Sequence, residues 1–126
     1  MPIATHLHAD AMLARPVGRI DHANAAAFEA TLRPLIEGAI ERRGALVLDF
    51  SSVEYISSVG LRVLMIAAKQ LRARDTQLLV CALKSVVAEI FAISRFDRIL
   101  TVTATPDDAL ALCSPAALAA YRRAAA

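Results

Sequence analysis

The run Ala45-Leu46-Val47-Leu48-Asp49-Phe50 constrains this chain more than any other feature. A strand with one wet face alternates apolar and polar residues, whereas a nearly continuous apolar run belongs to a strand covered on both faces. Gln77 to Leu83 is a second run of this kind, and Ile99 to Val102 is a shorter third. Between and before them, apolar residues fall at helical spacing: Phe28, Leu32, Leu35, Ile36 and Ile40, then Leu61, Leu64, Ala67, Ala68 and Leu71, then Val86, Ile90 and Ile93. Helices that alternate with buried strands need crossover connections, and crossovers build a largely parallel sheet.

Two short strands are expected ahead of this unit, at 3–9 and 11–17, close enough to pair antiparallel. Pro16 would place the second at an edge or a bulge, because proline has no N–H to give a ladder. Asn24 is suited to cap the first helix, which Arg42, Arg43 and Gly44 end with a basic last turn and a glycine. Pro34 predicts a kink or break inside it. Ser85 is expected to cap the helix before the third strand. Thr105-Pro106-Asp107-Asp108 joins a hydroxyl cap, proline at the first position and first-turn acids, so a helix starts there. Ser114-Pro115 repeats the signal and opens an Ala-rich terminal helix. The order is β-β-α-β-α-β-α-β-α, an α/β domain with a small mixed, largely parallel sheet. Residues 1–126 form a single domain, with a core over about 3–113 and a helical extension at 115–126.

Several function classes are disfavoured by composition. A net charge of +2, with arginines scattered among acids and few aromatics, provides no basic stripe with stacking platforms for nucleic acid. No run reaches the ~18 apolar residues of a membrane span, and Met1 to His6 lacks the pattern of a signal peptide. A cytoplasmic protein is expected. Cys81 and Cys113 are isolated in apolar surroundings, where a thiol acts as a small hydrophobe. His6, His8 and His22 have no metal-ligand spacing with each other or with the cysteines. The four glycines form no phosphate-binding loop, and Ile56 stands where a nucleophile elbow needs its first glycine. No catalytic residue, cofactor or metal is therefore assigned.

The candidate site lies where strand character gives way to helix, at Ile56-Ser57-Ser58-Val59-Gly60-Leu61-Arg62. Serine favours the N-cap because its oxygen accepts from a free backbone N–H of the first turn. The same N–H groups and the macrodipole favour a negative charge there. Ser58 reads as the serine presented at the helix start. Ser57 as the cap, with Ser58 one step inside, is the other arrangement the residues allow.

Two separated motifs make the chain resemble the STAS domain, and within it the small bacterial anti-sigma factor antagonists. They are Val17-Gly18-Arg19-Ile20-Asp21-His22-Ala23-Asn24 and Leu48-Asp49-Phe50-Ser51-Ser52-Val53 leading to Ile56-Ser57-Ser58-Val59-Gly60-Leu61. The resemblance implies helices mainly on one face of the sheet. It also implies partner switching. The unmodified protein binds an anti-sigma factor that is also a serine kinase, phosphorylation at Ser58 ends that binding, and a PP2C-type serine phosphatase reverses it. Asp21, His22, Asn24, Ser57, Ser58, Val59, Gly60, Leu61 and Arg62 are the implied partner-binding residues. Many members carry Asp at the position of Ser57 and Ser, Thr or Ala at that of Val59, so this chain has a second hydroxyl before Ser58 and none after it. A STAS subunit that docks on another assembly, such as a lipid transporter complex, is the alternative on the same fold. A phosphoserine in the native protein separates the two.

Overall fold

Residues 1–125 are described by the structure, a computed structural model. Its strands are β1 (Ala4–His8), β2 (Ala11–Arg15), β3 (Gly18–Ile20), β4 (Leu46–Asp49), β5 (Val53–Ile56), β6 (Leu78–Cys81) and β7 (Thr101–Thr103). The helices are α1 (Ala25–Arg42), α2 (Ser58–Arg72), α3 (Ser85–Ile93), α4 (Pro106–Cys113) and α5 (Pro115–Ala125), with a 3₁₀ turn at Phe96–Arg98.

The main sheet has the order β1-β2-β4-β6-β7. Only β1 and β2 pair antiparallel; every other neighbour is parallel, as crossovers through helices require. The absence of alternation in β4 is explained by its place at the centre. Leu46 and Leu48 face one core with Leu78, Val80, Phe28, Leu64 and Phe91, on the side of α1, α2 and α3. Val47 faces the other with Leu13, Leu79, Cys81, Leu110 and Ala117, under α4 and α5. Three helices thus cover one face and the α4–α5 pair covers the other.

Several local expectations give way to tertiary packing. The first two strands are shorter than predicted, and β2 lies inside the sheet because it ends at Arg15, before Pro16 has to donate. Pro34 does not break α1, which runs unbroken for 18 residues with Pro34 on its exposed side. There the carbonyl that loses its partner faces water. Ser85 is the first residue of α3, and Lys84 occupies its cap position. The largest difference is a pair of strands absent from the predicted order, β3 and β5, which form a separate two-stranded parallel sheet. Each is too short to show a periodicity of its own.

Two polar contacts hold this frame. Asp49, 2% exposed at the end of β4, takes Nε and an outer guanidinium nitrogen of Arg15 on one carboxylate oxygen, both at 3.0 Å. Its other oxygen accepts from Ser51 N at 2.9 Å, which fixes the turn into β5. Ser114 donates to Asp10 at 2.6 Å, and its oxygen accepts from Ala117 N in the first turn of α5. One serine therefore caps α5 and ties the chain's end to the β1–β2 turn.

Burial, and then the nearby Asp49 charge, push the Cys81 thiol up to about 12. Burial also raises Cys113, with Asp10 contributing. The Cys81 thiol consequently stays protonated at pH 8, and alkylation at that pH should label it only after unfolding, which intact mass reads directly. Ser114→Ala should cost about 0.5–2 kcal/mol. Hydrogen exchange should localise its effect to α5 and leave α2 protected.

Candidate functional site

The site is assembled by the β3–β5 ribbon. Gly18, Arg19 and Ile20 pair with Val53, Tyr55 and Ile56, with a register shift after Gly18. Ser57 N then donates to Ile20 O at 2.8 Å, so the end of β3 is fastened to the start of α2. Ile20 and Ile56 turn inward together and are buried. Against them lies Gly60. A Cβ added there would come within 2.8 Å of both Ile20 Cγ2 and Ile56 Cγ1, and 3.2 Å from Ile20 O. Glycine at this position is a packing requirement, because any side chain would force the two segments apart.

Of the two serines, Ser57 is the cap. Its backbone is extended (φ −86°, ψ 171°) and its Oγ accepts from Gly60 N at 3.2 Å. Ser58 is the first residue of α2 and is exposed. Among the described residues its hydroxyl has no hydrogen bond to another part of the chain. The two hydroxyls thus have separate duties, one spent on the backbone and the other facing solvent.

The segment after β3 lies beside this turn, and its polar groups are turned on themselves. Asn24 does not cap α1 with its side chain. Its Oδ1 accepts from Asp21 N at 2.8 Å and its Nδ2 donates to Arg19 O at 2.6 Å, which closes the 19–24 loop. Asp21 accepts from Ala23 N at 3.0 Å on one oxygen and faces Arg19 Nε at 3.6 Å on the other. It makes no hydrogen bond to Ser58. His22 is exposed, and no side-chain partner for it occurs among the described residues.

On α2 the candidates separate by helical phase. Val59 (46% exposed) and Arg62 are on the outside. Gly60 and Leu61 are buried, Leu61 in one stripe with Leu64 and Ala68. Partner contact through the Leu61 side chain is therefore corrected: that side chain holds α2 to the core. Two surface residues were missed by the sequence reading, Arg19 and Tyr55. They stack with the guanidinium carbon 4.5 Å from the ring centroid, on the open side of the ribbon next to Ser57. No sequence signal singles them out, because segments 18–20 and 53–56 are too short to show a period. Lys84 Nζ meets Glu54 Oε1 at 2.8 Å, which joins the start of α3 to β5.

The arrangement is an open surface of exposed Ser58, an apolar Val59, an aromatic–arginine stack and Arg62, which has no ion pair among the described residues. Two depressions elsewhere, one between α1 and α2 and one near Asp10, Arg43 and Thr76, include none of residues 57–62. Among the described residues no three His, Cys, Asp or Glu side chains gather into a metal-holding group, and no helix is long and apolar enough to cross a membrane.

Because Ser57 is the residue that caps, Ser57→Ala should cost about 1 kcal/mol of unfolding free energy. Ser58→Ala, at an exposed position, should stay within about 0.5 kcal/mol of the parent. Gly60→Ala should lose about 1–3 kcal/mol by overpacking. Urea unfolding of the three variants measures that order.

Residues 2–109 match the family model of the STAS domain. A protein of Bordetella bronchiseptica named as an anti-sigma factor antagonist, BtrV, is 43% identical over 94 residues, which are 75% of this chain and 78% of that one. The crystal structure of an anti-sigma factor antagonist from Mycobacterium paratuberculosis superposes with a TM-score of 0.78 at 26% identity, covering 88% of this chain and 92% of that chain. The Bacillus cell-fate determinant SpoIIAA in its phosphorylated form shares the fold with a TM-score of 0.61 at 16% identity, over 86% of this chain and 96% of that one. With its sheet order, its β3–β5 ribbon and this match over most of its length, the chain belongs to the STAS domain family.

Proposed function

We propose that this protein is an anti-sigma factor antagonist, working in the bacterial cytoplasm as a binding protein switched by phosphorylation at Ser58. In its unmodified form it captures an anti-sigma factor that is also a serine kinase, and the sigma factor held by that partner is released. The kinase passes the terminal phosphoryl group of a nucleoside triphosphate to Ser58 Oγ, with loss of the hydroxyl proton and release of the diphosphate. A PP2C-type phosphatase adds water, returns the serine and liberates inorganic phosphate.

The observation that carries this reading is the division of labour between the serines. Ser58 is exposed at the first position of α2 while Ser57 supplies the cap, so a phosphate on Ser58 costs the helix no capping bond. A phosphoserine bears close to two negative charges and sits where the helix dipole favours an anion, by about 0.3–1 kcal/mol. The domain therefore tolerates the modification. A partner packed over the same turn does not, because it would have to strip water from a dianion, at a cost of several kcal/mol. The relative BtrV, by its name, and the existence of a phosphorylated form of SpoIIAA support the same assignment.

Intact mass and site mapping on the protein from its own cells, beside a Ser58→Ala variant, test the proposal. A phosphate that maps to Ser58 and vanishes in the variant is expected, with Ser57 unmodified. The phosphorylated form should bind the kinase at least about 100-fold more weakly than the unmodified one, by titration calorimetry. Absence of phosphate across growth and stress conditions would overturn the proposal and leave Ser58 on a constitutive docking surface.

A further inference from the structure

We infer that Arg62 is the residue that receives the phosphate of modified Ser58, holding it along the surface of α2 by a pair within the helix. This rests on the reading that Ser58 is the phosphorylated residue, and adds which side chain of this protein answers the new charge. Ser58 and Arg62 are four residues apart on one helix, and both are exposed. Side chains at that spacing lie one above the other, and an acidic group placed N-terminal to a basic one is the better orientation. The same spacing and orientation already close a pair in this molecule: Glu29 on α1 reaches Arg33 at 3.6 Å. A phosphoserine is shorter than glutamate but offers three acceptor oxygens, and the arginine fork binds phosphate with two parallel hydrogen bonds.

Arg62 is also available. The ion pairs among the described residues are Arg15–Asp49, Arg19–Asp21, Arg33–Glu29, Lys84–Glu54 and Arg122–Asp107, and Arg62 belongs to none. The first turn of α2 carries no acidic residue that would compete for it. Arg19, the other arginine near the turn, faces Asp21 and stacks on Tyr55. In the unmodified protein Arg62 is thus a cation on the partner-facing surface. After phosphorylation it is drawn to the phosphate, so modification also removes a positive charge from the surface the partner meets.

Phosphoserine installed at position 58 during synthesis gives a homogeneous protein, and ³¹P NMR then follows its second phosphate ionisation, ordinarily near ~6. Pairing with a cation favours the dianion and lowers that ionisation. Arg62→Gln should raise it by about 0.15–0.4 of a pH unit relative to the parent phosphoprotein, while Arg62→Lys should fall between. The helix N-terminus is common to all three proteins, so the difference isolates Arg62. Equal ionisation in the parent and Arg62→Gln would overturn the inference. Because the phosphoserine is installed without the kinase, this result is independent of whether cells modify Ser58, which the native mass decides separately.

Discussion

Ile20, Ile56 and Gly60 meet at distances that leave no space for another carbon, and the serine turn is positioned by that contact. The two isoleucines come from strands that pair in parallel, and the glycine comes from the first turn of the helix they introduce. The ladder between β3 and β5 continues through Ser57 N to Ile20 O, so α2 begins where the pairing ends. Ser57 is left in extended geometry with its oxygen over Gly60 N, as a cap requires. Ser58 then has one remaining direction, outward. The exposed serine is thus a consequence of buried packing by Ile56 and Gly60, which flank it in the chain, against Ile20.

This construction suits a switch that acts at a surface. α2 is anchored by Leu61, Leu64, Ala68 and Leu71, all buried, and the side chains that turn outward between them make no demand on the core. A charge added at the first helical position meets free N–H groups and a favourable dipole. The fold is therefore indifferent to an event that a docked partner would feel strongly. The β3–α1 loop adds a second fixed edge, because Asn24 binds the backbone of both Arg19 and Asp21. Asn24 stabilises that loop rather than the helix after it, where a cap preference alone would have placed its effect.

The central unit was legible because β4 and β6 are apolar without alternation, a pattern only a two-sided core accommodates. The α4 start was legible for the same kind of reason, with Thr105 Oγ1 accepting from Asp108 N and Pro106 in the first turn. The ribbon was not legible. Gly18-Arg19-Ile20 and Val53-Glu54-Tyr55-Ile56 are too short for a period, and each is a strand only because the other is there. Leu61 was read both in the apolar stripe of α2 and among the partner-binding residues, and the phase of α2 turns its side chain inward with Leu64.

Sequence alone determined the class of fold, the position of the strand-to-helix transition and the presence of two serines at it, since periodicity and capping chemistry reside in a few contiguous residues. Only the tertiary structure decided which serine caps and which faces outward, that segments 18–20 and 53–56 pair, and that α4 and α5 close the second face of the sheet. Those outcomes depend on groups far apart in the chain arriving at the same place. Ile20 O has to reach Ser57 N, and Ser114 has to reach Asp10, before any of them is fixed.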